Sequence, residues 1–150
     1  MSRFLVLLVF LVVVVGGGFL LGYLFPAGAW YAELNKPIFN PPNEVFVWVW
    51  PVLYVLIAIA GWRVFTLQVR GGAWGLWLVN LVLNFLYTPL FFGANLLLVS
   101  TVVVGLTLLT AIAFISATWN RERVASVCFV PYALWLGYAF TLALTLWWIN

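Results

Sequence analysis

Five long stretches of this chain are apolar and almost free of charge, and they constrain its fold more than any other feature. They are Phe4 to Phe25, Val45 to about Leu67, Trp74 to Phe92, Leu96 to Trp119 and Val124 to Ile149. A helix that crosses a hydrocarbon core of about 30 Å needs roughly 20 mostly apolar residues. The sequence therefore predicts an all-α integral membrane protein, with one five-helix transmembrane bundle as a single domain over residues 1–150.

The composition agrees with a lipid-embedded chain and excludes most catalytic chemistry. The 150 residues are 67% apolar and 6% charged, whereas a soluble domain carries about 25% charged residues. With no His, no Asp, three Glu and one Cys, the chain lacks the usual ligands for a metal and the usual catalytic triads. Six scattered basic residues form no run, so we expect no nucleic-acid partner, and we expect no metal or other cofactor.

The connections between these stretches are short except for the first, which runs from Pro26 to Glu44. Its four prolines predict a stiff segment after Lys36, with a short helical turn over residues 30–35. A long loop can simply join two helix ends. However, Trp30, Tyr31 and Phe39 are too apolar for an idle solvated loop, and we expect this segment to form a lid.

The first apolar stretch has a second interpretation as a cleaved signal peptide. Arg3 precedes it, and Ala27-Gly28-Ala29 resembles a cleavage site. Its 22 residues exceed the usual signal core of about 7–15, which favours a retained membrane span.

Basic residues predict the orientation of the bundle. With five spans the termini lie on opposite sides, and Lys36 alone lies on the side of the long loop. The other basic residues share the N-terminal side: Arg3, Arg63, Arg70, Arg121 and Arg123. Because basic loops favour the cytoplasm, we expect a cytoplasmic N terminus, with the long loop and the C terminus on the opposite side.

The tryptophans separate into two groups by depth. Five lie near the predicted membrane boundaries, where amphipathic rings commonly settle: Trp62, Trp74, Trp119, Trp147 and Trp148. Trp50, Trp77 and Trp135 lie deeper in their spans, so an interfacial belt does not account for them.

Polar and aromatic residues of the second, third and fifth spans fall at similar depth, about 8–15 Å from the outer surface. The helical spacing places them on consistent faces. They are Trp50, Tyr54, Asn84, Tyr87, Tyr138 and Ala139; Trp135 lies about a turn deeper, and Asn80 lies one turn from Asn84 on the same stripe. A carboxamide in hydrocarbon is costly without a hydrogen bond, so Asn80 and Asn84 must face protein, water or a ligand. From spacing alone, interhelical fastening and a ligand-facing role are equally open.

Four ordered motifs give the chain a specific resemblance. The long loop reads Trp30-Tyr31-x-x-Leu34-x-Lys36-Pro37-x-Phe39-x-Pro41-Pro42. Trp50 precedes Tyr54, Asn84 precedes Thr88-Pro89-Leu90-Phe91-Phe92-Gly93-Ala94, and Val130-Pro131-Tyr132-x-x-Trp135 precedes Ala139. From Trp30 to the C terminus the chain resembles the TspO/MBR family of tryptophan-rich sensory proteins and translocator proteins, the peripheral benzodiazepine receptor group.

This resemblance implies a five-helix bundle, usually a homodimer, with a pocket beneath the first loop. It implies a receptor for porphyrins such as protoporphyrin IX and for other flat hydrophobic molecules, with a role in tetrapyrrole or stress regulation. Trp50 and Asn84 would supply hydrogen bonds to a ligand, and Trp30, Tyr54, Trp135 and Ala139 would line the cavity. Light-dependent porphyrin degradation, as attributed to some bacterial members, would involve Trp30, Trp50 and Trp135.

Two residues depart from the family pattern. Phe39 stands where many relatives have Trp, which keeps a ring but loses a donor. Leu144 stands where animal members carry a Tyr proposed for cholesterol, so cholesterol recognition through that motif is unsupported.

Other classes of function remain open at the level of sequence. One alternative is a small transporter or channel for tetrapyrroles or lipophilic compounds. Proton-coupled transport usually needs an ionisable group within the bilayer, but Glu33, Glu44 and Glu122 all lie in loops or at a span edge. A second alternative is a regulatory scaffold that signals through partner proteins.

Overall fold

The computed structural model describes residues 2–69 and 71–150, and the regular structure within these ranges is entirely helical. Five of the helices are long and apolar enough to cross a membrane, which confirms the predicted five-span architecture. The elements are α1 (Arg3–Leu24), α2 (Ala29–Glu33), α3 (Asn43–Thr66), α4 (Ala73–Gly93), α5 (Leu97–Thr118) and α6 (Arg123–Ile149). α1 contains a π-helical segment, Val12–Gly16, and α4 ends in another, Pro89–Gly93.

α6 has two main neighbours in the bundle. It packs against α5 along one side and α3 along another, while α4 packs against α5. Buried rings fill the α5–α6 contact, where the centroids of Phe114 and Phe129 are 4.1 Å apart. Large apolar side chains such as Phe4, Trp48 and Leu134 point outward and are more than two-thirds exposed. An outer surface of this kind is suited to contact with lipid acyl chains.

α1 contacts different neighbours along its length. The half of α1 that begins at Arg3 packs against α3, whereas the half that ends at Leu24 contacts α4. Gly18, in that second half, is buried against the ring of Tyr54, and a Cβ there would overlap this ring. Gly18 therefore makes a close contact within the chain, while Gly22 faces open space.

The two ends of the bundle differ in chemistry. At one end the Trp62 indole N–H donates to the Arg3 carbonyl at 3.0 Å, and Arg63 pairs with Glu122 at 2.8 Å. The lid occupies the other end. Arg70, which contributed to the orientation argument, lies outside the described residues, and the side that faces the cytoplasm stays a prediction.

Trp77 lies deep in the bundle, where its side chain connects α4 to α3. Its indole N–H donates to the Ile57 carbonyl of α3 at 2.9 Å, and its ring stacks on Trp74 with centroids 5.1 Å apart. Gly61 allows this contact, because a Cβ there would overlap the Trp77 ring. Trp77 thus holds α3 against α4.

Candidate functional site

The long loop folds back over the bundle as an ordered lid, which we define as residues 26–42. Its short helix α2 places Tyr31 in a buried position, 5.4 Å from the ring of Phe92 and 6.0 Å from the ring of Phe91. Trp30 contacts Phe91 edge to face at 5.6 Å. Burial raises the pKa of the Tyr31 hydroxyl, so this phenol is neutral at physiological pH.

Lys36 completes the C-terminal end of α2. Its ammonium donates to the carbonyls of Tyr31 at 2.6 Å, Ala32 at 3.2 Å and Leu34 at 3.3 Å. The same ammonium lies 4.6 Å from the centroid of the Tyr31 ring, within range of a cation–π contact. Lys36 therefore stabilises the lid from within.

The lid is fastened to α6 at two points. The Tyr138 hydroxyl donates to the Phe39 carbonyl at 2.7 Å. The Asn150 side chain accepts from the Asn35 N–H at 2.8 Å and donates to the Asn35 carbonyl at 3.0 Å. These bonds fix the lid relative to the helix that carries Trp135.

Beneath the lid lies a cavity of about 560 Å³. Its wall comes from α1, the lid, α3, α4 and α6. The lining residues are mainly aromatic or aliphatic: Gly18, Phe19, Gly22, Tyr23, Phe25, Pro26, Ala27, Tyr31, Asn43, Phe46, Val47, Trp50, Pro51, Tyr54, Tyr87, Thr88, Phe91, Phe92, Trp135, Ala139, Leu142 and Leu146. This volume falls within the range of about 300–1,000 Å³ that is usual for small-molecule sites.

Flat rings from α3 and α6 form part of the wall. Trp50 and Tyr54, one turn apart on α3, stack with centroids 5.3 Å apart and an interplanar angle of 29°. Trp135 on α6 meets Phe46 edge to face at 5.7 Å. Aromatic faces presented in this way can stack on a planar ligand.

Asn84 lies in a narrow annex of about 30 Å³, which shares Trp50, Tyr54 and Ala139 with the main cavity. The Asn84 amide donates to the Tyr132 hydroxyl at 2.9 Å. A phenol can both donate and accept, so either orientation of this amide keeps the bond. Asn84 Oδ1 and Trp135 Nε1 are buried without a hydrogen-bond partner within the protein. A ligand that reached either atom would satisfy a polar group that is otherwise costly to bury.

The structure brings six of the predicted site residues together around the cavity and its annex: Trp50, Tyr54, Asn84, Tyr87, Trp135 and Ala139. It places three others in or against the lid rather than in the wall. Trp30 packs on Phe91, and Phe39 and Tyr138 form one of the two fastenings described above.

The structure places Asn80 against α5. Its amide donates to the Thr107 carbonyl at 2.8 Å and to the Thr110 hydroxyl at 2.9 Å, both on α5. It is fully buried and outside the cavity wall. Of the two interpretations left open by spacing, its geometry is that of an interhelical fastener.

Sequence reasoning missed the contribution of α1. Gly18, Phe19, Gly22 and Tyr23 line the cavity, although the stretch Phe4 to Phe25 carries no polar side chain other than Tyr23 to mark a functional face. The two glycines one turn apart were the available signal. They indicated close packing, and Gly18 does make room for the cavity residue Tyr54.

These features define a class of protein: a five-helix membrane protein with an aromatic cavity closed by an ordered loop. The TspO/MBR family model matches residues 8–149. The chain is 35% identical to protein CrtK of Rhodobacter capsulatus over 133 residues, 86% of this chain and 83% of that protein.

Two further relatives extend the similarity. A tryptophan-rich sensory protein of Cereibacter sphaeroides is 38% identical over 114 residues, 76% of this chain and 72% of its own length. A translocator protein of Sus scrofa is 31% identical over 125 residues, 79% of this chain and 73% of its own length. The chain belongs to the TspO/MBR family.

Proposed function

We propose that this protein is a membrane receptor for porphyrin-like ligands, such as protoporphyrin IX, and for other flat hydrophobic molecules. The observation that carries the proposal is the 560 Å³ cavity, whose wall includes the stacked Trp50 and Tyr54 rings and Trp135. Its apolar wall would exclude water from a hydrophobic ligand, and its rings would stack on a planar one. A homodimer, as the family resemblance implies, stays a prediction.

A metal-free porphyrin suits these residues better than haem. The chain has no His, and the single Cys, Cys128, is not in the cavity wall. Haem iron is usually held by His, Cys, Met or Tyr as an axial ligand, and of these only Tyr occurs in the cavity wall, whereas a metal-free ring needs only apolar walls and hydrogen-bonding groups. Asn84 and Trp135 are the residues that we expect to supply those hydrogen bonds.

Light-dependent degradation of a bound porphyrin is a secondary proposal. Trp50 and Trp135 line the cavity and would touch the ligand. Trp30, in the lid, does not line the cavity and packs instead against the ring of Phe91 on α4. We therefore expect any photochemical role to fall on Trp50 and Trp135 first. Unchanged porphyrin absorbance during illumination of the complex in air would exclude this activity and leave the receptor proposal intact.

The receptor proposal can be tested by titrating protoporphyrin IX into the purified protein in lipid nanodiscs. Binding is followed by quenching of Trp fluorescence. We expect saturable binding by the wild type and at least about tenfold weaker binding by Trp50→Ala, which loses a large part of one aromatic wall.

A matched pair of variants separates the cavity from the surface. Trp135→Phe removes an indole from the wall, while Trp148→Phe makes the same change at a side chain that is 79% exposed and outside the wall. We expect weaker binding only for the first. Equal affinities for wild type, Trp50→Ala, Trp135→Phe and Trp148→Phe, with all four folded, would place the ligand elsewhere and overturn the proposal.

A further inference from the structure

The cavity wall carries no ionised side chain among the residues that line it, all of which are described. Its polar groups are neutral: tyrosine and threonine hydroxyls, the indole N–H of tryptophan and the carboxamide of Asn43. A carboxylate transferred from water into such a wall loses its hydration without gaining a counter-charge. The wall therefore favours uncharged ligands.

Lys36 is the basic residue of the lid, and its hydrogen-bonding capacity is already used. An ammonium has three N–H donors. The three carbonyls of Tyr31, Ala32 and Leu34 accept from Lys36, and the Tyr31 ring covers another side. To pair with a ligand carboxylate, Lys36 would have to break the bonds that hold α2 together.

The remaining charges near the lid are negative. Glu33 ends α2 and Glu44 lies in the first turn of α3, and both are exposed. Arg63 and Glu122 form their ion pair at the opposite end of the bundle. Two glutamates against one internally bonded lysine give this end an electrostatic potential that repels anions.

We propose, on the basis of the receptor function proposed above, that the cavity selects flat ligands that enter without charge. A tetrapyrrole dicarboxylic acid binds with its carboxyl groups protonated, and a tetrapyrrole whose carboxyl groups are esterified binds more tightly than the dianion. The selectivity comes from the neutral wall, the internally bonded Lys36 and the two exposed glutamates.

The test compares protoporphyrin IX with its dimethyl ester, because the two differ only at the two carboxyl groups. Both are titrated into the protein in zwitterionic nanodiscs at pH 8 and pH 5.5, and empty nanodiscs correct for partition into lipid. At pH 8 we expect the ester to bind at least about tenfold more tightly than the acid.

Lowering the pH should reduce the difference in affinity between the ester and the acid. Carboxyl groups of this kind titrate near about 4–5 in water, so a larger fraction of the acid is protonated at pH 5.5. The ester cannot titrate, and it therefore reports any effect of pH on the protein itself. Equal or tighter binding of the acid at pH 8, or an acid-to-ester ratio that does not change with pH, would overturn the inference.

Two variants provide a further test, in which the measured quantity is the ratio of the affinity for the acid to the affinity for the ester. Ala27→Lys places a cation in the cavity wall and should raise that ratio at pH 8 several-fold, whereas Lys36→Met should leave it unchanged. A selective loss of acid binding in Lys36→Met would show that Lys36 pairs with the ligand and would refute the inference. If neither compound binds at all, the receptor function fails, and the inferred selectivity fails with it.

Discussion

The side chain of Asn150 forms a pair of hydrogen bonds with the backbone of Asn35, at 2.8 Å and 3.0 Å. One carboxamide thus satisfies both the N–H and the carbonyl of a lid residue 115 positions away in the chain. The same amide nitrogen donates to the Leu146 carbonyl at 2.9 Å, which orients the side chain on α6. The contact joins the lid to the helix that carries Trp135.

Removing this contact should loosen the lid. We expect Asn150→Ala to raise the association and dissociation rates of protoporphyrin IX several-fold, with a smaller change in equilibrium affinity. Each lost hydrogen bond is worth about 0.5–1.5 kcal/mol. Stopped-flow Trp quenching measures both rates. Asn150→Asp keeps the acceptor for the Asn35 N–H and should give an intermediate effect, while rates identical to wild type in both variants would show that the lid does not control entry.

Two glycines of α1 offer a matched test of packing beside the cavity. Gly18→Ala should lower thermal stability and weaken ligand binding, because its methyl group displaces the Tyr54 ring at a cost of about 1–3 kcal/mol. Gly22→Ala meets nothing within 4 Å and should be neutral or slightly stabilising, since Ala favours helix by about 1 kcal/mol over Gly. Thermal unfolding in detergent and porphyrin titration measure the two effects. Similar behaviour of the two variants would contradict the packing described for Tyr54.

Substitutions of the two asparagines of α4 should have different main effects, one on the stability of the protein and the other on ligand affinity. Asn80→Leu removes the hydrogen bonds to α5, and we expect a loss of stability of about 1–2 kcal/mol. Asn84→Leu lies in the annex and should weaken ligand binding. Denaturation in SDS and ligand titration of both variants measure these effects. A larger loss of ligand affinity in Asn80→Leu than in Asn84→Leu would contradict these roles and indicate that Asn80 belongs to the ligand site.

The Arg63–Glu122 ion pair joins the end of α3 to the beginning of α6. The Glu122 side chain is 9% exposed and that of Arg63 is 31% exposed, so solvent weakens the pair only in part. We expect Glu122→Gln to destabilise the protein by about 1–3 kcal/mol. A double-mutant cycle with Arg63→Gln measures the coupling, and additive effects of the two changes would show that the pair contributes nothing.

Orientation in the membrane can be measured by cysteine labelling. After replacement of Cys128 by Ser, single cysteines at Asn43 and Asn120 mark the two ends of the bundle. The basic residues predict that an impermeant reagent labels the Asn43 position in intact cells and the Asn120 position only after lysis. The reverse pattern would invert the topology.

The sequence predicts the spans well because hydropathy alone sets them. The first apolar stretch, Phe4 to Phe25, corresponds to a helix over Arg3–Leu24, and the helical turn predicted over residues 30–35 corresponds to α2 over Ala29–Glu33. Length and charge suffice for such assignments, since every backbone group in a membrane span must be bonded within its own helix.

The site is harder to predict, because side-chain direction depends on which helices are neighbours. Asn80 and Asn84 lie one turn apart on the same stripe, yet Asn80 bonds to α5 and Asn84 to Tyr132 of α6. Spacing gives the face of a helix but not its partner. The role of α1 was missed for a related reason. Gly18 lines the cavity and leaves space for the Tyr54 ring, and because glycine has no side chain, its residue type gives no indication of such a role.

Ligand binding in the cavity beneath the lid is tested most directly by an experimental structure of the protein with protoporphyrin IX. We expect density for a planar molecule in this cavity, in contact with the rings of Trp50 and Trp135 and within hydrogen-bonding reach of Asn84 or the Trp135 indole. Density against the lipid-facing rings of Trp147 and Trp148, with the cavity empty, would contradict the account.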